Sequence, residues 1–138
     1  MGGKLKAGVV GVGSLGQHHA RLYGSMDGVE LAGIYETDEE RAREITARHG
    51  GRVFPSLEAL AREVDIASVA SPTTTHEEAT SRLIDAGVAT LVEKPIAVSL
   101  EQAERLVEHA RSRGVPLMVG HIERFNPAIT ALIRRAER

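Results

Sequence analysis

Ala7-Gly8-Val9-Val10-Gly11-Val12-Gly13-Ser14-Leu15-Gly16 is the stretch on which the fold turns. The apolar run ending at Val10 reads as a buried strand, and a helical pattern begins directly after the last glycine. Between them, Gly11, Gly13 and Gly16 keep the GxGxxG spacing, and each has its own physical task. Gly11 permits the tight turn out of the strand, Gly13 lets the backbone approach a pyrophosphate, and Gly16 lets the helix pack closely on the strand. Ser14 and Leu15 complete the turn, where the free N–H groups and positive dipole end of the helix favour an anion. Glu36 stands about 20 residues past Gly16, at the end of a second apolar run, the distance at which an acid meets a ribose. Strand, turn, helix and acid together predict a dinucleotide-binding unit. A carboxylate there accepts from both ribose hydroxyls and repels an added phosphate, so NAD is expected over NADP. Arg41 favours a phosphate in principle, but it falls a turn into the next helix.

Composition narrows the classes. The 138 residues are 42% hydrophobic and 26% charged, ordinary for one soluble domain. A chain of this length buries roughly two-thirds of its unfolded surface, enough for a single core. A net charge of −2 leaves no polybasic footprint, so neither nucleic acid nor membrane is an expected partner. The absence of cysteine excludes disulfides and thiol chemistry and agrees with a reducing compartment. The N-terminus lacks the apolar core of a signal peptide and no apolar run is long enough to span a bilayer, so the expected location is cytoplasmic. The six histidines show no metal-ligand spacing, and no metal is expected.

Short apolar runs alternate with longer helical patterns along the chain, which predicts an α/β fold with a doubly wound parallel sheet. Strands are expected at Leu5–Gly11, Val29–Tyr35, Arg52–Phe54, Asp65–Ala70, Ala89–Glu93 and Leu117–Val119, helices on both faces covering them. The first helix is read over Leu15–Met26. Capping boxes are read at Thr37 with Glu40, Thr75 with Glu78, and Ser99 with Gln102. The helix after Ser99 places Leu100, Ala103, Leu106, Val107 and Ala110 on one face. Asn126-Pro127 opens a last amphipathic helix with Ile129, Leu132 and Ile133. That helix either folds back on the sheet or belongs to the junction with a second domain.

Three further segments follow predicted strands: Ser71-Pro72-Thr73-Thr74-Thr75-His76, Val92-Glu93-Lys94-Pro95-Ile96-Ala97, and Val119-Gly120-His121-Ile122-Glu123-Arg124-Phe125-Asn126-Pro127. In an open parallel sheet such loops share the edge where ligands bind. Together with the glycine turn they resemble the Gfo/Idh/MocA oxidoreductases, the family of glucose–fructose oxidoreductase and inositol dehydrogenase. The resemblance covers essentially the whole chain in motif order. The last motif is closest in wording to members acting on UDP-N-acetylglucosamine at its 3-position.

The resemblance implies a Rossmann cofactor domain over residues 1–125, with 126–138 beginning a connecting helix toward a C-terminal substrate domain absent from this chain. It implies hydride transfer from a secondary alcohol of a sugar, nucleotide sugar or cyclitol to NAD, with the cofactor carrying the redox chemistry. It gives Lys94 the catalytic role of hydrogen-bonding the reacting hydroxyl and stabilising alkoxide charge. Pro95 sets the loop direction, and Glu93 pairs with Lys94 or orients it. Ser71, Pro72, Thr73 and His76 are placed around the nicotinamide end, His76 as a helix-start residue more than a proton shuttle. His121 and Arg124 face the substrate, where an arginine can hold a phosphate or carboxylate. His18 and His19 are read as a solvated helix face. In the family a further acid/base histidine, most substrate contacts and the usual oligomer interface come from the second domain. A homo-oligomer is therefore expected of the parent protein, and self-association or mobility of this chain from about Phe125 onward. A stand-alone module that binds NAD or CoA without catalysis is the competing reading.

Overall fold

Strand β1 (Leu5–Val10) runs into the glycine turn, and helix α1 (Gly16–Ser25) leaves it. The alternation continues with β2 (Val29–Tyr35), α2 (Glu39–His49), β3 (Arg52–Val53), α3 (Leu57–Ala61) and β4 (Ile66–Val69). It closes with α4 (His76–Asp85), β5 (Ala89–Val92), α5 (Leu100–Arg113), β6 (Leu117–Val119) and α6 (Pro127–Ala136). Single 3₁₀ turns at Thr73–Thr75 and Ile122–Phe125 lead into α4 and α6. The computed structural model describes residues 3–137, so the expected domain limits at Met1 and Arg138 lie outside the described residues.

All six strands are parallel, in the order β3-β2-β1-β4-β5-β6. The doubly wound sheet read from the alternation is the observed one. The chain winds outward from β1 to β3, then returns to pair β4 on the other side of β1. Connections leaving β1 and β4 therefore diverge, and a crevice opens at their carboxyl ends.

Successive strand residues point to opposite faces, so one strand feeds two cores. Val9 joins Val12, Ala20, Ile34, Ala42 and Ile45 beneath α1 and α2. Its neighbour Val10 joins Leu57, Leu60, Val69, Leu83 and Val92 beneath α3 and α4. A smaller cluster of Ile84, Leu106 and Ala110 seats α5. Helices thus lie on both faces, although Met118 of β6, on the side away from α5, is 41% exposed.

The helix starts hold both agreements and corrections. At α5 the Ser99 hydroxyl accepts from the Gln102 N–H at 3.3 Å, and the Gln102 side chain accepts from the Val98 N–H at 3.2 Å. At α2 the cap is Asp38, not Thr37: the Asp38 carboxylate accepts from the Arg41 N–H at 3.0 Å. Thr37 has turned its hydroxyl onto the adjacent Glu36 carboxylate instead. Thr75 does not cap α4 either, because the 3₁₀ turn commits its hydroxyl to Ser71 and to the Pro72 carbonyl. Glu78 there pairs with Arg82. The expected inner face of α5 is narrower than read: Leu106 and Ala110 are buried, while Leu100 and Val107 are exposed. The sheet ends at β6, which leaves no surface for the flanking residues to cover. Helix α6 does not fold back on the sheet. None of its described residues is buried, and Ile129, Leu132 and Ile133 remain open.

These burials give opposite expectations for two similar truncations. Leu83→Ala removes a fully buried side chain and should cost about 2–5 kcal/mol in urea unfolding. Ile133→Ala, at a residue 52% exposed, should stay within about 0.5 kcal/mol of the parent.

Candidate dinucleotide cleft

The glycine turn is built by three different constraints. Gly11 has φ +81°, and a Cβ there would lie 2.6 Å from the Ser71 Cα. The backbone leaving β4 therefore passes directly against it. A Cβ on Gly16 would overlap the Gly11 carbonyl oxygen, so helix and strand meet through bare backbone. Gly13 is the reverse case: a Cβ there meets nothing within 4 Å, because the position borders an open cleft. Helix α1 begins at this point with no side chain capping its first turn and no acid within it. The N–H groups of the turn from Gly13 to Gly16, which show no acceptor among the described residues, and the helix dipole are left to an anion from outside the helix.

Glu36 ties the end of β2 to the turn. One carboxylate oxygen accepts from the Val12 N–H at 2.8 Å; the other accepts from the Asp38 N–H at 3.1 Å and the Thr37 hydroxyl at 3.2 Å. Arg41 holds the same turn from the other side, donating from Nε to the Val12 carbonyl at 3.0 Å and from Nη1 to Glu44 at 2.8 Å. Its guanidinium is thereby engaged in the protein, which the sequence position alone did not reveal.

The cleft has a volume of about 730 Å³ and is bordered by Gly11, Gly13, Ser14, Leu15, Glu36, Ser71 and Pro72 among the expected residues. Its far wall was not anticipated. Leu57 and Ala79 supply apolar surface, and Arg82 of α4 closes the rim by bridging Glu58 of α3 and Glu78. A backbone N–H hydrogen bond, and then Arg82, hold the Glu58 carboxyl below its ordinary value, and Glu58 in turn raises Arg82. The bridge is thus kept until the pH falls below the usual carboxylate range. It is exposed, so it shapes the rim more than it stabilises the fold. The spacing of Glu78 and Arg82, four apart on one helix, was the only local trace of it.

Beyond the cleft, the β5 exit carries Glu93, Lys94 and Pro95, the last through a cis peptide bond. Lys94 is exposed, and among the described residues its ammonium has no hydrogen-bond or ion-pair partner. Two of the expected contact residues are turned inward. Glu93 is 7% exposed and accepts from the Lys94 backbone N–H at 3.2 Å. Its other oxygen meets His19 Nε2 at 2.9 Å, so the carboxylate is turned inward. His76 is 2% exposed, with Nδ1 3.0 Å from the Pro95 carbonyl and Nε2 2.9 Å from the Ser71 carbonyl. It begins α4, as read, but its ring is enclosed. His19 is not solvated as expected, since its Nδ1 also meets the Ser68 hydroxyl at 3.0 Å. His18 is exposed, Thr73 lies in the 3₁₀ turn away from the cleft lining, and Arg124 and His121 are exposed near β6. Among the described residues no group of three histidines, cysteines or acids could hold a metal, and no helix is long and apolar enough to cross a membrane.

A GxGxxG turn at the sheet's switch point, an uncapped helix start and a locked acid at the end of β2 define a Rossmann dinucleotide-binding domain. Residues 5–121 match the model of the oxidoreductase family with an NAD-binding Rossmann fold, and the chain belongs to that Gfo/Idh/MocA family. It is 41% identical over 128 residues to UDP-N-acetylglucosamine 3-dehydrogenase of Acidithiobacillus ferrooxidans, covering 93% of this chain and 40% of that protein. Inositol 2-dehydrogenase of Paracoccus denitrificans is 36% identical over 134 residues, covering 93% and 40%. The solved Acidithiobacillus structure superposes with a TM-score of 0.90 at 40% identity over 96% of this chain and 43% of that one. GenD2 from gentamicin A biosynthesis, solved in complex with NAD, gives a TM-score of 0.81 at 34% identity over 87% and 35%. The chain thus spans about 40% of the length of the curated relatives it matches.

The glycines separate affinity from stability. Gly13→Ala should leave the melting temperature unchanged and weaken NADH binding by fluorescence titration, because only the cleft receives the new methyl. Gly16→Ala should lower the melting temperature as well, because the methyl meets the Gly11 carbonyl.

Proposed function

We propose that this chain is the cofactor domain of an NAD-dependent dehydrogenase acting on a secondary alcohol of a sugar, nucleotide sugar or cyclitol. The observation that carries the reading is the pairing, along one sheet edge, of a locked Glu36 with an unpaired Lys94. The structure fits the cofactor on its own terms: Gly13 leaves the approach open, and α1 offers an uncapped N-terminus. Glu36 has about four acceptor positions, and three protein donors already meet them. A ribose hydroxyl takes the remaining position and competes with Thr37, whose bond is the longest of the three. Arg41 is drawn onto Val12 and Glu44, and the Glu36 carboxylate repels an added ribose phosphate, so NAD is favoured over NADP. NAD, when bound, supplies the hydride acceptor.

Lys94 donates to the alcohol oxygen of substrate and stabilises the charge that develops there as the C–H bond breaks. Arg124 and His121, exposed beyond β6, face the same region and suit an anionic substrate group. Residues 126–138 are read as the connection to a substrate domain. Two facts support that reading: α6 exposes its apolar side, and the relatives are more than twice as long. The UDP-N-acetylglucosamine enzyme has the highest identity among the relatives described here, which makes UDP-sugars the first substrates to try.

Lys94→Met should abolish NADH production from UDP-N-acetylglucosamine or inositols by the full-length protein while leaving NADH affinity within about twofold, the signature of an interaction confined to the transition state. Equal loss of affinity would remove Lys94 from the catalytic role. Glu36→Ala should weaken NAD by about tenfold or more, the value of one or two charge-assisted hydrogen bonds, and NADP by less; equal losses for the two would remove Glu36 as the selector.

A further inference from the structure

Two histidines stand on either side of Lys94 without touching it. His19 lies on α1, which covers one face of the sheet, and His76 opens α4, which covers the other. Each is spent on a residue directly next to Lys94. His19 Nε2 is 2.9 Å from Glu93 Oε1, and His76 Nδ1 is 3.0 Å from the Pro95 carbonyl.

The hydrogens on the His19 side follow from what each group can do. The Glu93 carboxylate only accepts, so the His19 Nε2–H donates to it, and in the neutral ring Nδ1 then accepts. The Ser68 hydroxyl, 3.0 Å away, is the donor to Nδ1. Tyr23 then donates its hydroxyl to Ser68 Oγ at 2.7 Å. The remaining Glu93 oxygen accepts the Lys94 N–H at 3.2 Å. The result is one directed chain, Tyr23 to Ser68 to His19 to Glu93 to the Lys94 backbone. Every polar side chain in it is satisfied, and Ser68 is fully buried. Gly120 completes the pocket, since a Cβ there would lie 3.1 Å from the Glu93 carboxylate.

On the other side, the buried His76 ring faces two acceptors, the carbonyls of Ser71 and Pro95. The ring therefore sits between the loop after β4, which borders the cleft, and the loop that carries Lys94, and its one N–H in the neutral form donates to one of the two carbonyls. Such a group costs free energy to bury unless its partners are met.

We propose that His19 and His76 are positioning residues for Lys94, bracing the backbone before it and after it from the two faces of the sheet. The braces hold the Lys94 Cα at a set distance from the glycine turn and from Pro72, leaving the long side chain free to reach a substrate. This rests on the reading of Lys94 given above.

The chain has three lysines, Lys4, Lys6 and Lys94, so methylation with ¹³C labels a small, assignable set. In the wild type, NADH should shift the Lys94 methyl resonance and leave Lys4 and Lys6 unmoved. His19→Ala should reduce that NADH-induced shift by about half or more, as expected when a supporting shell is removed. His19→Gln, which still offers an N–H to Glu93, should restore it. At position 76, His76→Asn keeps an N–H near the Nδ1 place facing Pro95 and should preserve the response. His76→Gln keeps one near the Nε2 place facing Ser71 and should lose it. If His19→Ala fails to fold, Ser68→Ala takes its place, since it frees the ring from its other anchor and should weaken the response. A purely structural role would lower melting temperatures without this pattern of loss and rescue. A Lys94 signal insensitive to NADH in the wild type would overturn the placement of Lys94 and the braces with it. A signal that responds in the wild type and equally in all variants would overturn the braces alone.

Discussion

At Gly16 the first helix touches the first strand through backbone alone, and much of the molecule follows from that contact. No side chain separates them, so α1 sits low over the sheet. Residues on the same stripe, three, four and seven positions on, then face inward: His19, Ala20 and Tyr23. Ala20 fills the core beneath β1. His19 and Tyr23 reach further, to Ser68 in the neighbouring strand. One missing Cβ thus sets the helix height, aims its N-terminus across the cleft and brings an imidazole within reach of the β5 exit.

The second dependence is on Glu36. As a carboxylate at the end of β2 it is the proposed ribose partner, and in the fold it is a clamp on Val12. That double duty explains why the turn is held from two directions, by Glu36 on the Val12 N–H and by Arg41 on the Val12 carbonyl. The proposed recognition and the observed rigidity share the same atoms, so a change at Glu36 is expected to act on both.

What was legible in the sequence was what depends on neighbours in the chain. Strand and helix order, the glycine turn, the Glu36 distance and the Ser99–Gln102 cap are all local patterns, and the structure keeps them. What local patterns did not show is of two kinds. Thr37 and Thr75 have the right residue type for a cap, but each hydroxyl found a nearer acceptor, and one-residue competition of this sort is not visible in spacing. His19, His76 and the Glu58–Arg82 bridge depend on contacts between elements far apart in sequence. His19 and Glu93 are separated by 74 positions, and only the order of the strands brings them together. The exposed Leu100 and Val107 belong here as well, since a helical stripe says which side is apolar but not how much sheet lies beneath it.

The unequal lengths of the strands have a further consequence. The two edge strands are the shortest or nearly so: β3 has two residues and β6 has three, against seven in β2. Each edge therefore offers few unpaired backbone groups to another chain, and on β3 the Arg52 guanidinium lies over the Phe54 ring, 4.4 Å from its centroid. Short edges, one of them bearing a charge, resist the strand-to-strand stacking that turns sheets into aggregates. The long strands, where pairing is strongest, are kept in the middle, so the domain can carry a largely apolar sheet without advertising it as a template for polymerisation.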